Sequence, residues 1–178
     1  MNTTLNKIRD HAPCRDGWEK LLKHLGKTKR DDEPLSLLTI LDSNFLDDAL
    51  WCLRAVDGYD KEIRLYAVWC ARQVQHLMDD QRSIDALDVA ERYAHGQATY
   101  EELGAARDAA MDAAKNSAWA AASDVALVSA SDAAWNAARN AAWAASRDPV
   151  YDSAWDAARA EQETEFRRML NAIEEQVE

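Results

Sequence analysis

The chain has 178 residues, 48% hydrophobic and 30% charged, proportions that suit one globular domain of ordinary size. Glycine and proline number only 5 and 3, and every glycine lies at or before Gly104, which excludes collagen-like, elastic and most turn-rich β architectures. Charges interrupt every apolar run before the ~18 residues of a membrane span, and MNTTLNKIRDHAPC lacks the apolar core of a secretion signal. The expected location is therefore cytoplasmic.

The net charge of −11 is unevenly placed: residues 1–30 carry eight basic and three acidic groups, leaving −16 on residues 31–178. So acidic a body repels nucleic-acid phosphate and anionic lipid and attracts basic protein surfaces. Solubility is the commonest use of such charge. The basic N-terminal segment can fold back on the acidic body or offer a second contact surface, and the sequence leaves both open. Cys14, Cys52 and Cys70 are odd in number, widely spaced and without a CxxC pair, the pattern of reduced structural thiols.

Taken in chain order, Asp16-Gly-Trp-Glu19 has the residues of a capping box. It opens a helix carrying Trp18, Leu21, Leu22 and Leu25, which Gly26 can stop. Pro34 suits a first helical position before Leu35, Leu37, Leu38, Ile40 and Leu41. Asp42-Ser43-Asn44 interrupts that run, and a further helix with a core face of Phe45, Leu46, Ala49, Leu50, Leu53 and Val56 ends at Gly58. From Asp60 the stripe continues through Ile63, Leu65, Tyr66, Trp69, Cys70, Val74 and Leu77. Asp79-Asp80 closes it and opens a helix with Ile84, Leu87, Val89, Ala90 and Tyr93, which stops at Gly96. Thr99-Tyr-Glu-Glu102 is a second capping box.

Residues 108–147 then divide into five octads, DAAMDAAK, NSAWAAAS, DVALVSAS, DAAWNAAR and NAAWAASR, with a sixth, DSAWDAAR, at 152–159. Alanine supplies 21 of the 52 residues from 108 to 159. Each octad is amphipathic, but eight residues turn its alanine stripe by about 80°, so one straight helix would have no lasting face. An unbroken helix from Thr99 to Arg147 would also run ~73 Å, against a compact radius of gyration near ~16 Å. Breaks are expected near Ser123-Asp124 and Asp148-Pro149, with tight packing of the alanine-faced pieces. Trp135 with Arg139, Trp143 with Arg147, and Trp155 with Arg159 are i, i+4 neighbours, where an arginine stem can shield a boundary indole. The last helix carries Phe166, Met169, Leu170 and Ile173.

Chemistry is sparse. The sequence has no glycine-rich phosphate loop, HExxH or GxSxG. His11, His24, His76 and His95 are isolated, and adjacent acids such as Asp79/Asp80 diverge by ~100° on a helix. Asp108/Asp112 and Asp152/Asp156 are spaced i, i+4 but lack a histidine partner for a metal. No enzyme, cofactor or metal is expected. The best candidates for partner contact are the dense run Asp31, Asp32 and Glu33, with Asp47, Asp48, Asp57 and Asp60 flanking a predicted helix. Charge reversal at Asp47 and Asp48 is expected to slow association and leave folding intact.

The stretches RLYAVWCARQVQHL and ALDVAERYAHGQAT, followed by the Ala-Trp octads, resemble the Imm5-like immunity proteins of bacterial polymorphic toxin systems. The likeness covers roughly residues 35–170, and DGWEKLLKHLGKT resembles versions found with phage and prophage genes. It implies a stoichiometric inhibitor docked on a basic cleft of a toxin, and carries over no site residues. The alternatives are a phage-encoded counter-defence inhibitor, as a nucleic-acid mimic or blocker of a host defence complex, and an all-α scaffold or oligomer subunit. The expected architecture is an all-α, compact single-domain bundle of about seven helices, with basic helices at 1–30, an amphipathic core at 31–98 and Ala/Trp-rich helices at 99–178. The expected partner is a basic toxin or host defence protein, not nucleic acid or membrane, and an alanine face leaves room for a homodimer.

Overall fold

The computed structural model describes residues 1–113, 136–137 and 151–176. Among these it is all-α, with seven α-helices and one short antiparallel pairing. The order is β1 (Asn2–Thr3), α1 (Leu5–Asp10), α2 (Arg15–His24), β2 (Leu35–Ser36), α3 (Leu37–Trp51), α4 (Asp60–Arg72), α5 (Gln81–Ala94), α6 (Tyr100–Ala113) and α7 (Tyr151–Glu175). Short 3₁₀ turns at Cys52–Ala55 and Gln75–Leu77 follow α3 and α4. The chain divides into two compact units, Met1–Tyr59 with Arg167–Glu178, and Asp60–Phe166.

In the first unit, Gly26 (φ +64°) ends α2 as expected. Lys27 N donates to Leu22 O and Gly26 N to Lys23 O, so a left-handed residue satisfies the last carbonyls. The start differs. Cys14, not Asp16, caps α2, its Sγ accepting from Gly17 N at 3.4 Å, because the helix begins one residue before Asp16. Pro34 also stands outside a helix. Leu35–Ser36 pairs with Asn2–Thr3, and Ser36 then caps α3 by accepting from Leu38 N. That pairing is non-local and has no periodic signature.

The break at Asp42-Ser43-Asn44 is real, since Phe45 leaves helical geometry at φ 71°, ψ 178° inside α3. Few residues other than glycine occupy that conformation, which costs about 1–3 kcal/mol. It also turns Phe45 outward, 68% exposed, with Lys20 Nζ 3.8 Å from its ring centroid. The expected core role of Phe45 is thereby corrected. The core of this unit is Leu5, Ile8, Leu21, Leu37, Ile40, Leu41, Leu46 and Leu50, with Leu170 and Ile173 from the end of α7.

In the second unit α5 packs on both α4 and α6. Asp80 caps α5 by accepting from Arg82 N, and Gly96 (φ +71°) ends it with the same paired bonds as Gly26. The box at Thr99 forms reciprocally: Glu102 N donates to Thr99 Oγ1 at 3.1 Å and Thr99 N to Glu102 Oε2 at 2.6 Å. Ile63, Tyr66, Cys70, Val74, Leu87, Ala90 and Phe166 are buried, as the stripe requires. Arg64 is buried too, with its guanidinium 4.9 Å from the Tyr93 ring centroid, so a cation joins α4 to α5 inside the core. The breaks at Ser123-Asp124 and Asp148-Pro149, the alanine packing, and the pairs Trp135/Arg139 and Trp143/Arg147 lie outside the described residues.

Candidate functional site

Of the seven acidic candidates, six lie in the first unit and Asp60 in the second. Lys27 Nζ reaches both Asp31 Oδ2 and Glu33 Oε2 at 2.6 Å. Its hydrogen bond holds the Asp31 carboxyl below its usual range, and the two carboxylates raise Lys27 in return. Asp57 takes Lys7 Nζ at 2.7 Å and is lowered by that bond. Thr4 Oγ1 lies 3.5 Å from Asp32 Oδ1. Two lysines of the basic N-terminal segment, Lys7 and Lys27, thus pair with acidic loops of their own unit. Asp60 opens α4 in the other unit and is exposed.

Asp47 and Asp48 differ in kind. Asp47 is exposed on α3, whereas Asp48 is half-buried against α2. Asn44 Nδ2 donates to Asp48 Oδ2 and to Gly17 O, each at 2.8 Å, while Ser43 Oγ donates to Asn44 Oδ1. A Cβ on Gly17 would stand 2.7 Å from Asp48 Oδ2 and 3.2 Å from Cys14 Sγ, so any side chain there would have to push the Asp48 carboxylate aside. Reversing Asp48 would remove the acceptor of the Asn44 bond where α2 meets α3, a cost that the expectation of intact folding leaves out.

Beside Asp48 is a cleft of about 90 Å³ lined by Cys14, Trp18, Leu21, Asn44, Trp51 and Cys52, among others. It is smaller than the ~300 Å³ at which pockets for small organic ligands begin. Its tryptophans already carry cations of the chain itself, Arg9 at 5.4 Å from Trp18 and Arg54 at 4.4 Å from Trp51. These contacts make the cleft a helix–helix junction.

A larger groove lies in the second unit, where Trp69, Ala160, Glu161, Thr164 and Glu165 enclose about 340 Å³ open to solvent. The helical pattern assigned Trp69 to the core, yet its indole is only half-buried. It stacks on Tyr66 with centroids 6.3 Å apart, and Tyr66 meets Phe166 at 5.2 Å. Tyr66 Oη donates to Gln162 O at 3.2 Å, tying α4 to α7 beneath the groove. Neither Glu161 nor Glu165 stands among the candidates named from the sequence. Their i, i+4 spacing, which puts both on one face of α7, was the available signal.

Nucleophilic chemistry finds little support in the buried thiols. Burial pushes the Cys52 and Cys70 thiols up to about 12, and Tyr66 well above its ordinary value. Among the described residues no group of three or more His, Cys, Asp or Glu side chains could hold a metal ion. Also among them, no helix is long and apolar enough to cross a membrane. No family model matches the chain, and no curated protein or solved structure is significantly similar to it.

Proposed function

We propose that this chain is a stoichiometric inhibitor of the immunity-protein kind, which binds a basic surface on a toxin and blocks it. One observation carries the proposal: acid is concentrated in the second unit, where Asp60–Phe166 holds 19 acidic against 10 basic residues. Asp79, Asp85, Glu101, Asp112, Asp156 and Glu161 are exposed on or beside its helices. Such a field speeds encounter with a cationic partner and rejects anionic ones. The resemblance of RLYAVWCARQVQHL and the Ala-Trp octads to immunity proteins supplies the partner class.

The test is affinity capture with the tagged full chain from its native host at low ionic strength, followed by mass spectrometry and toxicity assay. A basic toxin recovered in equimolar amount, released by salt and inactive in the complex, is the expected result. Recovery of a host defence complex instead would move the inhibitor to counter-defence. No stoichiometric partner, or one indifferent to salt, would overturn the proposal.

A further inference from the structure

We propose that Cys14 and Cys52 are a redox pair, which closes an intramolecular disulfide across the α2–α3 junction when the chain meets a small disulfide oxidant of the glutathione kind. The register of the two helices carries this. Lys20 lies over Phe45, and the Gly17 Cβ position meets Asp48, so α2 and α3 run antiparallel where they touch. One turn further toward the start of α2 is Cys14, and one turn further along α3 is Cys52. Cys14 Sγ is 3.2 Å from the Gly17 Cβ position and Asp48 Oδ2 is 2.7 Å from it, so both face one point of the junction. Asp48 and Cys52, spaced i, i+4, share a face of α3. Both cysteines line the cleft of about 90 Å³, which gives their side chains room to turn toward each other.

Exposure sets the order of the steps. Cys14 is open to solvent, and its thiolate attacks one sulfur of glutathione disulfide, releasing one glutathione thiolate. Cys52 is buried and meets that sulfur only from within the junction. It gives up its proton, attacks Cys14 Sγ and releases the second glutathione. Two protein thiols are thereby oxidised, and the oxidant is reduced to two thiols, with the protons passing to the released glutathione. Burial and the Asp48 carboxylate push the Cys52 thiol up to about 12. At pH about 8 the second step therefore lags far behind the first, and a brief titration still counts one thiol.

The test incubates the folded full chain with glutathione disulfide between about pH 8 and about pH 10, quenches with acid and maps the peptides by mass spectrometry. Glutathione should appear first on Cys14 and then leave as a Cys14–Cys52 bond forms, reversibly with dithiothreitol. Closure should quicken about tenfold per pH unit as the Cys52 thiolate fraction grows. Cys70, buried in the second unit, is the internal control and should stay a thiol. In Cys14→Ser, Cys52 should remain unmodified over the same time. Glutathione that persists on Cys14 with Cys52 still a thiol, or Cys14 bridging two chains instead, would overturn the pair. Modification of Cys52 at an undiminished rate in Cys14→Ser, or Cys70 reacting in step with Cys52, would mark entry by unfolding and overturn it as well. Should the serine variant fail to fold, the wild-type comparison of Cys52 with Cys70 decides alone.

Discussion

Asp48 Oδ2 occupies the space where a side chain on Gly17 would begin, 2.7 Å from the position of its Cβ. Gly17→Ala must therefore displace Asp48 and weaken its bond from Asn44, outweighing the helix propensity that alanine adds. A loss of about 1 kcal/mol is expected, a drop of roughly 2–4 °C in melting temperature. Gly104→Ala is the matched control. It lies within α6 with nothing near its Cβ position, so it should gain up to about 1 kcal/mol. Scanning calorimetry of both variants checks the pair, and shifts of the same sign would contradict it.

Charge reversal separates the two neighbouring aspartates. Asp48→Lys places a cation against Gly17 and Cys14 and should destabilise by about 1–3 kcal/mol. Asp47→Lys, at an exposed position, should cost less. Urea denaturation of the two variants reads the difference directly.

Thr99→Ala removes the oxygen that accepts from Glu102 N and should cost about 1 kcal/mol. Glu102→Ala removes the reciprocal bond to Thr99 N. In hydrogen exchange, either change should raise exchange across the first turn of α6 more than in α2.

Thiol reactivity and pH follow from burial. Cys14 is exposed, while Cys52 and Cys70 are buried with pKa values pushed up to about 12. At pH about 8 a disulfide reagent should titrate one thiol in the folded chain and three after denaturation. The raised thiols stabilise fully below the unfolded value of about 8.5, and that contribution is lost as pH climbs toward 12. Asp31 and Asp57 act at the other end, because their folded values are lowered by Lys27 and Lys7. Their contribution is present above about pH 3.9 and is lost as pH falls through the folded values. Melting temperature should form a plateau near neutrality. Asp57→Asn should soften the acid limb and Cys70→Ala the alkaline one.

Local chemistry was legible in the sequence wherever one turn of chain decides it. Gly26, Gly96 and the Thr99–Glu102 box are read from residues within five positions of one another, and the structure forms each. The interruption at Asp42-Ser43-Asn44 was legible for the same reason. Pro34 was misjudged because the segment after it is claimed by hydrogen bonds to Asn2–Thr3, over thirty residues away. Phe45 fits an apolar stripe, and only its backbone torsion turns it outward. The acidic run at Asp31–Glu33 looked available because Lys27 contacts it through the fold of a loop. The Trp69 groove needed two helices ninety residues apart to be brought together, and no periodicity reports that.

The central claim is an electrostatically steered complex with a basic protein, and its most direct measurement is the association rate with the captured partner as ionic strength changes. The account predicts a fall of at least about tenfold between roughly 10 mM and 500 mM salt, with dissociation changing much less. An association rate unchanged by salt would contradict it.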